Sequence, residues 1–196
     1  LHGVCGDVYA TRSWAEAASE QGTLVAMLGD EPCKHRKGRF RWYRNVEHID
    51  GRVRRVLDAV AEARGGQLDR DRITLIGYSQ GADRAERIAA RFPDRYPRVL
   101  LGSPSEAPEP DHFCSGQAIA VVAGSREDND HRVEDVEALR QAGYTAVFLA
   151  LPDAYHGQFG PEGERVMGEA LTWLFDRAPV ELHAAHKAPA RRSNRL

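Results

Sequence analysis

A chain of 196 residues has the length of one domain. Its 42% hydrophobic and 29% charged residues are the balance of an ordinary globular protein with enough apolar material for a core. A net charge of −2 leaves no electrostatic footprint for nucleic acid or an anionic membrane surface, and no apolar run approaches the roughly 18 residues of a membrane span. The basic residues are nearly all arginine, lysine occurring only at Lys34, Lys37 and Lys187. Such a bias follows a GC-rich, bacterial-like genome rather than a binding function.

In chain order, Leu1-His2-Gly3-Val4-Cys5-Gly6-Asp7 reads as the end of a strand entering a glycine-rich loop. An Ala-rich helix is expected after Ser13, and a buried strand over Thr23–Leu28. Arg39 to Arg44 set arginines among aromatics. That run fits either a site for an acidic or aromatic group or a loop packed on the domain, and the second reading is preferred. Ile49, Val53, Val56, Leu57 and Val60 form a helical stripe. A strand follows at Ile73–Ile76, then a helix over Ala82–Arg91 and a strand at Val99–Leu101. Gly102 to Gln117, rich in Pro and Ser, reads as a short loop. Ile119–Val122 is the next strand. Val133, Val136 and Leu139 mark a helix that turns at Gly143, Ala146–Leu151 is the last strand, and Val166 to Leu174 carry the last helical stripe. The strands are continuously apolar rather than alternating, as parallel strands covered on both faces must be. Strand–helix alternation of this kind predicts an α/β domain over 1–178, a doubly wound, mostly parallel sheet flanked by helices. Residues 179–196 have no periodicity and read as a loose tail.

Cysteine and histidine narrow the chemistry. Three cysteines argue against a pure disulfide framework. Cys5 and Cys33 fall in loops at one end of the expected sheet, which leaves a bridge between them and two free thiols as open alternatives. His183 and His186 have metal-like spacing but no further ligands, so no metal site is expected, and no cofactor motif is present. His35, His48, His112 and His131 lie in polar segments and read as surface residues.

The segment Gly77-Tyr78-Ser79-Gln80-Gly81 sits between an expected strand and an expected helix, the context that a G-x-S-x-G turn requires. Such a turn lifts a serine hydroxyl above the C-terminal edge of a sheet, where ligands bind in folds of this type. Serine needs a base to take its proton during attack, and the base needs a carboxylate on its second nitrogen. Two later loops end strands at the same edge. One, Gly124 to Asp130, supplies Glu127 and Asp128. The other, Pro152 to Gly157, supplies His156. Imidazole is the side chain suited to passing a proton near neutral pH. Negative charge developing on the oxygen of the attacked group needs preorganised donors, expected from the backbone N–H groups of Gln80 and Val4. His2 is expected to shape that loop rather than act as the base.

Together, Leu1-His2-Gly3-Val4 and Gly77-Tyr78-Ser79-Gln80-Gly81-Ala82 resemble the L-H-G-x and G-[FY]-S-Q-G-[GA] segments of the carboxylesterase, acyl-protein thioesterase and dienelactone hydrolase group of the α/β-hydrolase superfamily. The resemblance covers Leu1 to about Ala178. It implies the α/β-hydrolase fold and a serine hydrolase that cleaves carboxylic esters through an acyl-enzyme. Thioester or peptide cleavage by the same residues, or a silent binding member of the fold, are the alternatives. The implied partner is a small-molecule ester; oligomeric state is not implied. The acid loop departs from the group's usual single Asp. Spacing from Gly124 favours Glu127 and residue type favours Asp128, and the reading leans to Asp128. The first strands of the fold would lie before Leu1, which lacks an initiator methionine, so cytoplasmic and secreted locations both stay open. Gly102–Gln117 leaves no room for a sizeable lid, which fits small or accessible esters.

Overall fold

The computed structural model describes residues 1–43, 45–70 and 73–177. Four parallel strands form the main sheet: β3 (Thr74–Tyr78), β4 (Arg98–Gly102), β5 (Ala118–Gly124) and β6 (Thr145–Leu151), in the order β3-β4-β5-β6. A two-stranded antiparallel hairpin, β1 (Glu31–Pro32) and β2 (Phe40–Arg41), stands apart. The helices are α1 (Ala15–Gln21), α2 (Val46–Ala63), α3 (Gln80–Arg91), α4 (Asp130–Gln141) and α5 (Gly163–Arg177). A 3₁₀ segment at Val8–Trp14 precedes α1.

The continuous apolar runs follow from position in this sheet. Every residue of the two central strands, β4 and β5, is buried, whereas the edge strands β3 and β6 are only partly so. Side chains alternate between faces along a strand. Val99, Leu101, Ile119 and Val121 therefore enter the core beneath α2, α3 and α4, with Ile49, Ala85, Ile88 and Leu139. Leu100, Ala118, Ala120 and Val122 enter the opposite core beneath α1 and α5, with Trp14, Val166, Met167 and Leu174. Each fully buried aliphatic chain contributes about 1.5–3 kcal/mol relative to exposure.

Two expectations need correction. Thr23–Leu28 is not a ladder strand. Among the described residues, only Leu1 bonds the outer edge of β3: its N–H group reaches the Ile76 carbonyl, and its carbonyl accepts from Tyr78 N–H at 3.0 Å. With no neighbouring strand, Thr23–Leu28 stays irregular, while Leu24 and Met27 still pack against the two cores. Between this segment and β3 runs a cavity of about 830 Å3, lined by Leu24, Met27, Leu57, Ile73, Leu75 and Leu171 and reaching Ser79 and His156. The second correction is Val133, placed on a buried stripe by its spacing. It is 55% exposed, and Val136 and Leu139 carry the contact of α4. The expected tail at 179–196, with His183 and His186, lies outside the described residues.

Candidate active site

Because the four strands are parallel, the loops that leave β3, β4, β5 and β6 meet at one edge. Ser79 follows β3 and caps α3 with φ 52° and ψ −125°. Such a conformation is costly for a residue with a Cβ and persists only where its surroundings enforce it. The flanking glycines show how. A Cβ on Gly77 would stand 2.1 Å from the Gly81 carbonyl oxygen, and one on Gly81 would stand 2.2 Å from that of Leu1. The chain crosses itself too closely for any side chain at either position. Ser79 is 9% exposed, and its Oγ lies 3.1 Å from His156 Nε2.

His156 reaches the site from the turn after β6. Its Nδ1 lies 3.0 Å from Glu127 Oε2. The expectation of Asp128 is thereby corrected: its side chain is exposed and faces His131 at 3.6 Å. The reason lies in the turn after β5. Glu127 N–H donates to the Gly124 carbonyl at 2.9 Å, and Gly124 N–H donates back to Glu127 Oε1 at 2.8 Å. Glu127 is thus folded inward, and the next residue points out. Ser103 Oγ also donates to Glu127 Oε1 at 2.7 Å. Partial burial pushes this carboxyl up, but the donations from Ser103, Gly124 and His156 outweigh it and hold it below its usual range.

The glycine-rich segment at the start of the chain folds over the elbow. Gly6 N–H bonds the Gly3 carbonyl at 3.0 Å, closing a turn through Val4 and Cys5, the latter at φ 53°. A Cβ on Gly3 would stand 3.3 Å from Ser79 Cβ, so the turn lies beside the serine. Among the described residues, the backbone N–H groups of Val4 and Gln80 make no hydrogen bond. His2 is buried beneath the turn. Its Nε2 accepts from Gly29 N–H at 2.9 Å, so Nδ1 carries the proton and donates to the Gly3 carbonyl at 2.8 Å. Burial, above all, pushes its pKa down, in keeping with that neutral tautomer. His2 therefore braces the loop and lies away from the serine's proton.

Of the two alternatives left open for the cysteines, the bridge is the one present, and further supports lie beside it. Cys5 and Cys33 form a disulfide that ties this turn to the β1–β2 hairpin; Cys114 stays outside it. Phe40 N–H bonds the Gly6 carbonyl at 3.1 Å, and Arg39 pairs with Asp7 at the same place. The Arg39 to Arg44 run is therefore largely structural: Arg41 pairs with Glu31 at 2.7 Å, and Arg44 lies outside the described residues. Trp42, 1% exposed, joins both halves of the site. Its indole N–H donates to the His2 carbonyl at 2.8 Å, and its backbone N–H donates to Gln80 Oε1 at 3.0 Å. An aromatic between arginines gave no signal of this bridging role. His112 is partly buried, bonded to Glu86 at 2.8 Å, rather than on the surface. Among the described residues no cluster of His, Cys, Asp or Glu could hold a metal ion, and no helix is long and apolar enough to cross a membrane.

A serine on a strained turn between a parallel strand and a helix, with His156 and Glu127 from later strand ends at the same edge, defines the architecture. The chain has the α/β-hydrolase fold. Solved structures of that fold superpose on it. A carboxylesterase of Bacillus cereus is 19% identical, with a TM-score of 0.63 over 91% of this chain and 86% of the other. A carboxylesterase of Mesorhizobium loti is 19% identical, with 0.62 over 88% and 86%. A dienelactone hydrolase of Anabaena variabilis is 19% identical, with 0.59 over 91% and 85%. No protein-family model and no curated protein matches the sequence. The connection from β4 to β5 holds only a 3₁₀ turn at Pro110–His112, with no sizeable lid.

Proposed function

We propose that this chain is a serine hydrolase that cleaves carboxylic esters through an acyl-enzyme. The carrying observation is the line from Ser79 Oγ to His156 Nε2 at 3.1 Å and from His156 Nδ1 to Glu127 at 3.0 Å. In this reading His156 takes the Ser79 proton as Oγ attacks the ester carbonyl carbon. The carbonyl oxygen becomes an oxyanion, which the backbone N–H groups of Val4 and Gln80 stabilise; Gln80 adds the positive end of α3. Glu127 keeps the Nδ1 proton in place and stabilises the imidazolium. The C–O bond then breaks and His156 returns the proton to the departing alcohol. Water attacks the acyl-enzyme by the same route, releasing the acid and restoring Ser79. The short β4–β5 connection leaves the site open, which supports small or accessible esters as substrates.

The test is covalent and kinetic. A fluorophosphonate probe is expected to label the wild type and not Ser79→Ala. That variant is expected to hydrolyse p-nitrophenyl acetate at no more than about a thousandth of the wild-type rate. Labelling at another residue, or near wild-type hydrolysis by Ser79→Ala, rejects the reading.

A further inference from the structure

Beyond the three residues of the proposed line lie two further hydroxyls, one bonded to the His156 loop and one to Glu127. The backbone N–H of Gly157, the residue after His156, donates to the Tyr78 hydroxyl at 2.6 Å. Against the larger upward push of burial, the Ser103 side chain draws the Tyr78 phenol pKa down. Ser103 Oγ donates to Glu127 Oε1 at 2.7 Å, and Glu127 Oε2 meets His156 Nδ1 at 3.0 Å.

The direction of the Gly157 and Glu127 contacts is fixed by chemistry. A backbone N–H can only donate, and an ionised carboxylate can only accept. Ser103 donates its one proton to Glu127. The Tyr78 oxygen accepts from Gly157. Burial, above all, pushes the Tyr78 phenol up, which keeps it a neutral hydroxyl. Ser103 is fully buried and sits at φ 40° at the end of β4, its own N–H held by the Val122 carbonyl at 2.7 Å. A strained, buried serine aimed at a carboxylate is built in by its surroundings. The Tyr78 ring also packs against His156, with centroids 5.6 Å apart.

We propose that Tyr78 and Ser103 are positioning residues for the hydrolysis proposed above: their hydroxyls fix Glu127 and the loop that carries His156 in a single orientation. Neither touches the reacting atoms. Both act through Glu127 and His156, and the inference rests on the reading of those residues as catalytic. The other charged groups on these loops are paired elsewhere: Arg126 with Asp153 at 2.8 Å, and Asp128 with His131 at 3.6 Å.

The experiment compares Ser103→Ala, Tyr78→Phe and the double variant with the wild type. Steady-state p-nitrophenyl acetate hydrolysis is measured from pH 5 to 9, with a thermal melt of each protein. Each single variant is expected to lower kcat on the order of tenfold with KM within about twofold, since substrate contacts are untouched. The two hydroxyls hold the two members of one bonded pair, Glu127 and the His156 loop, so the double variant is expected to lose much less than the product of the two single losses. In Ser103→Ala the acid limb of kcat/KM is expected to move to higher pH: Glu127 loses a donor, its charge is less compensated, and it stabilises the imidazolium more. Wild-type kcat with an unmoved acid limb, a loss confined to KM, or losses that multiply would overturn the inference. If Ser103→Ala does not fold, Tyr78→Phe carries the test alone, because it keeps the ring and removes only the hydroxyl. Should Ser79→Ala itself stay active, it is the reading of the site that fails; if Ser79→Ala is dead and both single variants behave as wild type, only this inference does.

Discussion

Glu127 faces His156 Nδ1 at 3.0 Å with one carboxylate oxygen, while its other oxygen accepts from Gly124 N–H at 2.8 Å and Ser103 Oγ at 2.7 Å. One side chain thus closes its own turn and holds the imidazole. Glu127→Gln presents an amide that favours the wrong imidazole tautomer and is expected to cost on the order of 10³–10⁴ in kcat. Asp128→Asn, altering an exposed pair with His131, is expected to stay within about twofold of wild type, as surface changes do. Kinetics on the two purified variants decide it, and a larger loss in Asp128→Asn would reverse the assignment.

The same contacts give stability a pH dependence of known sign. The Glu127 carboxyl is held below its usual range in the folded protein, so the unfolded chain takes up this proton at a higher pH than the folded one. The resulting stabilisation is full above the ordinary carboxylate range and is lost as pH falls through the lowered folded value. Between about pH 5 and 3, urea midpoints are expected to fall more steeply for the wild type than for Glu127→Gln. Parallel curves would mean that the contacts do not bias protonation.

Cys5 follows Val4 directly, and its bond to Cys33 anchors the turn that presents the Val4 N–H. Closing 28 residues of chain is worth on the order of 3–4 kcal/mol in the chain-entropy account. Cys5→Ser/Cys33→Ser is expected to melt at lower temperature and to label more slowly with a fluorophosphonate, because a loosened turn holds the proposed oxyanion donor less well. A lower melting point with unchanged labelling would confine the bridge to stability.

Gly81→Ala tests the crossing beneath the elbow. The added methyl would stand 2.2 Å from the Leu1 carbonyl oxygen and 2.6 Å from that of His2, both backbone atoms that cannot swing aside. A destabilisation above about 2 kcal/mol is expected, with loss of hydrolysis, read by urea denaturation and kinetics. Wild-type stability would mean that the crossing relaxes freely.

Much of this protein is local information. The apolar runs of β4 and β5 are continuous because both faces of a central strand are covered, and that is visible in a single sequence. The elbow was legible because strand, glycine, serine, glycine and helix follow one another without a break. Ser79 and His156 fall at one edge because parallel strands all end there. What the sequence by itself determined was therefore the strand order of events along the chain, and which loops meet.

The tertiary structure decided the matters that depend on direction and on distant partners. Glu127 and Asp128 are adjacent carboxylates, and only the turn clasped to Gly124 sends one inward and the other to solvent. The Cys5–Cys33 bridge depended on the β1–β2 hairpin, whose strands are two residues long and leave no periodic pattern. Thr23–Leu28 has a strand's composition, yet a strand exists only where a neighbour offers it a ladder, and none among the described residues does so here. Tyr78, Ser103 and Trp42 carry common side chains in unremarkable surroundings. Their roles arise from hydrogen bonds across 24 to 79 positions of sequence, such as Ser103 to Glu127 and Gly157 to Tyr78, and no local pattern encodes such pairings.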